Sequence, residues 1–106
     1  MQIQFQNHDA PVSDRMLRRA EQAVRNAARR ARRPVDAVIR FREDGPTRRV
    51  ELTLHTARGR RFVAVSEARY FGPAIADAAR RLTEQLNRSK PTSKTRARGA
   101  VRRGAA

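Results

Sequence analysis

Four arginines, Arg18, Arg25, Arg29 and Arg32, recur at spacings of seven, four and three residues. On a helix of about 3.6 residues per turn those spacings gather them in one narrow angular sector. Arg15, Arg19, Arg30 and Arg33 widen that sector over the rest of the same polar side. A guanidinium stays ionised at any working pH, presents a planar fork of donors that matches a phosphate, and stacks on bases. The chemistry on offer is the holding of a phosphate backbone. A merely solvated face would interleave acids four residues away, and Glu21 is the only acid beyond the first turn of this segment. A second basic pair, Arg81 and Arg88, lies near the C-terminus, where Asp77 and Glu84 each precede an arginine by four residues. That acid-first order favours ion pairs within a helix, so these two rank below the first group as free electrostatic contacts.

Other chemistries find no constellation. His8 and His55 are far apart and have neither a carboxylate pair nor metal-ligand spacing beside them. The five glycines are scattered and make no phosphate-cradling loop. Cysteine is absent, which excludes disulfides, thiolate metal sites and a cysteine nucleophile. No catalytic residue, metal or cofactor is therefore expected. Phe5, Phe41 and Phe62 fall at core phase in strands, so no stacking platform of the single-strand-binding kind is present. Tyr70 and Phe71 are placed either to cap the core or to stack on a base, with capping the favoured expectation.

The whole composition points the same way. The 106 residues include 25 basic and 10 acidic side chains, a formal charge of +15, and all the basic ones except Lys90 and Lys94 are arginine. A GC-rich coding bias accounts for arginine replacing lysine and for the 18 alanines, but not for the surplus of charge. A surplus that large fits a polyanionic partner, of which nucleic acid is the commonest. No apolar run approaches a signal-peptide core or a membrane span, so a cytoplasmic location and no membrane partner are expected.

The elements that must position these residues read clearly. Ile3 and Phe5 alternate with Gln2, Gln4 and Gln6 as a half-buried strand. Ser13 followed by Asp14 starts a helix. Leu17, Ala20, Val24, Ala27, Ala28 and Ala31 keep helical spacing to about Arg33, where Pro34 stops it. A second strand carries Val35, Ala37, Ile39 and Phe41 on one face and turns at Asp44-Gly45-Pro46. A third, Arg49 to Thr56, faces inward with Val50, Leu52 and Leu54. After a hairpin-like Ala57-Arg58-Gly59-Arg60 comes a fourth, Phe62 to Ser66. Gly72-Pro73 opens a second helix with Ile75, Ala78, Ala79, Leu82 and Leu86 as its stripe. The fold class is α+β, order β-α-β-β-β-α: a four-stranded sheet with both helices on one face, the first two strands parallel and the rest antiparallel. The domain spans 1–88, and 89–106, basic and without an apolar stripe, reads as a disordered tail. Without residues 88–106 the chain still carries 18 basic and 10 acidic side chains, a charge of +8.

The element order and the Met1-Gln2-Ile3-Gln4 opening resemble the ribosome hibernation-promoting factor / ribosome-associated inhibitor family. The resemblance continues in Val50-Glu51-Leu52-Thr53-Leu54, Gly59, Val63-Ala64-Val65-Ser66-Glu67, Ala74-Ile75 and Arg81-Leu82-Thr83-Glu84-Gln85-Leu86-Asn87-Arg88. It spans residues 1 to about 90 and departs from the family pattern at Tyr70-Phe71-Gly72, Ala76 and Glu84. It implies a binder of small-subunit ribosomal RNA that sits in the messenger and transfer RNA channel and silences translation. It also gives Arg81 and Arg88 an rRNA-contact role, and it implies a short form without a dimerisation domain of its own. A non-specific DNA-binding or transcription-modulating protein is the alternative, since a basic tail suits duplex DNA equally well, though no helix-turn-helix or zinc spacing accompanies it.

Overall fold

The computed structural model describes residues 1–7 and 10–89. The elements appear in the expected order: β1 (Gln2–Asn7), α1 (Asp14–Ala28), β2 (Pro34–Asp44), β3 (Thr47–Thr56), β4 (Arg60–Ala68) and α2 (Phe71–Ser89). The sheet runs β1-β2-β3-β4, with β1 parallel to β2 and the other pairs antiparallel. A helical crossover can join parallel neighbours, whereas the short turns after β2 and β3 permit only hairpins. The expected tail falls outside the described residues apart from Ser89, which closes α2.

Alternate residues of the sheet face both helices. Ile39 and Phe41 from β2, and Val50, Leu52 and Leu54 from β3, are buried with Ala20 and Val24 of α1 and Ile75, Leu82 and Leu86 of α2 in one cluster. Leu17 packs at its margin, partly buried. Phe71 closes the core edge-on against Phe41, with ring centroids 5.4 Å apart, while Tyr70 is 69% exposed and does not cover the core. The capping role expected of the pair therefore belongs to Phe71 alone.

Ser13 is extended, and its hydroxyl accepts the Met16 N–H at 3.2 Å, as a helix cap should. At its other end α1 stops five residues earlier than the spacing of alanines suggests. The Arg30 and Ala31 N–H groups bond back three residues to Ala27 and Ala28, both at 3.0 Å, and Arg33 turns to a left-handed φ of 51°. Pro34 disfavours a helical Arg33 and offers no N–H to prolong the ladder. The chain must also reverse here to enter β2, so the last turn tightens and ends. Arg29 and Arg32 thus lie on a turn after the helix.

Val35 is 53% exposed although Ala37, Ile39 and Phe41 are buried. The β2–β3 pairing slips between Pro34↔Thr56 and Asp36↔His55, leaving Val35 as the extra residue of a bulge. Strand phase reverses across such a residue. Gly45 and Pro46 alone separate the paired Asp44 and Thr47, and Gly45 takes a φ of 59°. A positive first residue followed by proline's fixed negative φ is the pattern of a type II′ hairpin turn. In α2, Pro73 is the third residue, after Phe71 and Gly72, and still lies among the first four positions that need no N–H partner.

The two helices point the same way. Along α2, Asp77 meets Ser66, Arg81 meets Val65 and Gln85 meets Val63, so α2 runs antiparallel to β4. A Cβ on Gly72, at the start of α2, would come within 3.2 Å of the Arg19 guanidinium in the first half of α1. The helices therefore run side by side in the same direction. Both C-termini arrive at the end of the sheet that holds the start of β2 and the β3–β4 turn.

Candidate nucleic-acid interface

The face of the sheet away from the helices is crossed by regular rows. The register aligns Gln2, Asp36, His55 and Arg61 in one row, and Gln6, Arg40, Glu51 and Val65 in another. Arg40 donates to Gln6 at 3.0 Å and to Glu51 at 3.4 Å, and Arg49 lies 3.9 Å from Glu51 and 3.8 Å from Glu67. His55 Nδ1 sits 2.6 Å from Asp36 Oδ1. His55 therefore has a carboxylate neighbour that sequence reading did not find: Asp36 is nineteen residues away, and the antiparallel register of β2 and β3 sets the two opposite each other. This face is nearly balanced, with Arg40, Arg42, Arg49 and Arg61 against Asp36, Glu51 and Glu67.

On the helix side the six candidate arginines are all exposed but stand in different situations. Arg25 is engaged by Glu21, with Nε and Nη2 both 3.0 Å from the same carboxylate oxygen. Arg81 is held twice, by Asp77 at 3.0 Å and through an Nη1 donation to the Val65 carbonyl at 3.1 Å. Gln85 donates to the Val63 carbonyl at 2.6 Å, so these two side chains cover the outer edge of β4. An open edge would present unpaired carbonyls to other chains. The second expected pair does not form: Glu84 is taken by Arg80 at 2.8 Å, not by Arg88. Arg80 also reaches Asp77 at 2.6 Å. The Ser66 hydroxyl, 2.6 Å away, is the main influence holding the Asp77 carboxyl below the usual carboxylate range; Arg80 and Arg81 act in the same direction. The carboxylates in turn raise the Arg80 guanidinium above its ordinary value.

Among the described residues, Arg18, Arg29, Arg32 and Arg88 have no carboxylate within 4 Å. Three of them, Arg29, Arg32 and Arg88, lie with Arg25 at the end where both helices finish; Arg18 lies in the first half of α1 and Arg81 midway along α2. The same end also holds Arg30 and Arg33 from the turn after α1, Arg58 from the β3–β4 turn, and Arg60 and Arg61 from the start of β4. The Ala57 N–H donates to the Arg33 carbonyl at 3.1 Å and ties those two turns together. Arg58, Arg60 and Arg61 are the residues that sequence reasoning missed. The signal available was the lack of any acid from 22 to 35 and from 52 to 66, but only the topology shows that the two stretches meet.

Fold and charge define a small basic α+β domain with one arginine-rich end. Residues 3–94 match the family described as Sigma 54 modulation protein / S30EA ribosomal protein, and the chain belongs to that family. Its fold is that of ribosome-associated interface proteins. The N-terminal domain of Thermus thermophilus Protein Y is similar with a TM-score of 0.73 at 20% identity, over 85% of this chain and 100% of that one. A ribosomal subunit interface protein from Coxiella burnetii is similar with a TM-score of 0.67 at 15% identity, over 83% and 96% of the two chains. No curated protein matches by sequence. No helix among the described residues is long and apolar enough to cross a membrane.

Proposed function

We propose that this chain is a cytoplasmic translation-silencing factor that binds the rRNA of the small ribosomal subunit. It would act by occupancy, with no bond made or broken. The observation that carries the reading, beside family membership, is the segregation of charge. On the open sheet face Arg40 and Arg49 are paired with its own acids and Arg42 and Arg61 are not, whereas on the helix side Arg18, Arg29, Arg32 and Arg88 all keep their donors unspent among the described residues. Phosphate contacts of this kind fix position and orientation without reading sequence, which suits a protein that fills an RNA-lined channel. Of the candidate residues, Arg25 and Arg81 would have to leave an internal partner to bind, so the weight falls on the other four.

The test is gradient co-sedimentation with purified small subunits, large subunits and duplex DNA at one salt concentration, beside an in vitro translation assay. Binding to small subunits with loss of translation is expected. Equal retention by DNA, or preference for large subunits, would refute the small-subunit reading.

A further inference from the structure

Arg33 and Arg58 are the only non-glycine residues with positive φ among the described residues, at 51° and 69°. The left-handed region crowds a Cβ against the backbone and is ordinarily left to glycine or asparagine. Arginine is under a quarter of the chain, so composition alone seldom fills both positions with it. Strained backbone of this kind persists where the surroundings over-determine it, and it gathers at binding sites.

Three further observations concern the same place. The turns that carry the two residues are joined through the Ala57 N–H and the Arg33 carbonyl at 3.1 Å, which fixes one turn relative to the other. Both side chains are exposed, and neither has a carboxylate within 4 Å among the described residues, although Arg25, Arg40, Arg48, Arg49, Arg80 and Arg81 all do. The acid nearest Arg33 in sequence, Asp36, is paired with His55, and those nearest Arg58, Glu51 and Glu67, are paired with Arg40 and Arg49. The C-termini of α1 and α2 also end here, and their partial negative charge favours cations nearby without consuming guanidinium donors.

We infer that the turn between α1 and β2 and the turn between β3 and β4 form a paired-turn clamp for the sugar-phosphate backbone of RNA, with Arg33 and Arg58 as its two contacts. The inference rests on the RNA-binding reading and deepens it: it moves the primary contact from the flank of α1 to the end of the domain. Two forks on mutually fixed turns are pre-organised, so little freedom is lost when phosphate arrives. The clamp reads backbone spacing and no base.

The test exploits the same strain. Glycine is at ease where φ is positive, so the full-length R33G/R58G variant removes both forks while favouring the turns that carry them. Binding is measured for the parent, this variant and R33K/R58K, against a 16-base-pair RNA duplex, a DNA duplex of the same length and purified small subunits, over a salt series. We expect R33G/R58G to bind RNA at least tenfold more weakly, with the slope of log affinity against log salt reduced by about 1.4 to 1.8, the sum for two phosphates. R33K/R58K, with its charges kept, should retain most of the slope. A glycine variant that keeps parental affinity and slope on the RNA duplex overturns the clamp, whatever happens on subunits. Equal losses on DNA and RNA overturn the assignment to RNA. If the parent binds the RNA duplex but not small subunits, the ribosome reading fails, and the glycine variant's loss on the duplex still supports the clamp.

Discussion

Arg81 separates two accounts of the same side chain. Its resemblance to a basic position of the hibernation-factor family gives it an rRNA contact, whereas the structure has it covering the edge of β4 and pairing with Asp77. The informative change is Arg81→Met, which keeps the length of the stem and removes charge and donors together. The bond to the Val65 carbonyl is worth about 1 kcal/mol net, since the freed carbonyl recovers water at an exposed edge. The exposed ion pair adds little to that. For a domain of this size a loss of about 1 kcal/mol lowers Tm by about 4 to 8 °C. Arg81→Met is therefore expected to lower Tm by that amount, read by circular dichroism, while RNA affinity and its salt slope stay close to parental. An unchanged Tm with a salt slope lowered by about 0.7 to 0.9 would show that Arg81 faces RNA and that the edge-covering role is wrong.

The other predictions keep the same division between fold and surface. Leu52→Ala, in the middle of β3 and fully buried, is expected to cost about 2 to 5 kcal/mol by denaturant titration. Val35→Thr, on the bulge, is expected to leave the denaturation midpoint nearly unchanged. The folded-state pKa of Asp77 is lowered, so its contribution is complete above the unfolded value near 3.9 and is lost as pH falls through the lower folded value. Asp77→Asn should therefore flatten the acid limb of a stability–pH curve below about pH 4, and an unaltered limb would count against the Ser66–Asp77–Arg80 network. Moderate salt is expected to raise Tm while weakening RNA binding, because screening relieves repulsion within the arginine-rich end and also reduces counterion release.

What the sequence made legible were the features set by local period and local chemistry. The six elements, the Ser13 cap, the turn at Gly45 and the inward residues of β3 all follow from alternation, helical spacing or a residue's own conformational limits. What escaped were features decided between distant segments. The alanines from 20 to 31 keep helical spacing beyond Ala28, yet the need to reverse into β2 ends the helix there. The bulge at Val35 leaves alternation in the sequence intact and controls that residue's exposure, while the meeting of Asp36 with His55 depends on the pairing of β2 with β3 across nineteen residues. Glu84 has arginines four residues away on both sides, Arg80 and Arg88, and spacing cannot choose between them; the structure chooses Arg80, which is also held by Asp77. Of the candidate site, four of the six arginines stand free among the described residues, and the paired turns were not foreseen.

The concentration of charge at one end follows from connectivity more than from any one motif. A crossover between parallel neighbours must carry α1 from the far end of β1 back to the near end of β2. The hairpins then return β4 to the opposite end, from which α2 has to run back in the direction of α1. Two parallel helices on one face place two partial negative charges side by side at their C-termini. That is a setting in which nearby cations are stabilised, and it offsets part of the mutual repulsion that the clustered arginines would otherwise impose. Internal acids would offset it equally well for the fold, as they do on the open sheet face, but each would occupy a guanidinium fork. Compensation by helix ends leaves the forks open to an outside phosphate. The same topology therefore keeps the basic end foldable and keeps it available for binding.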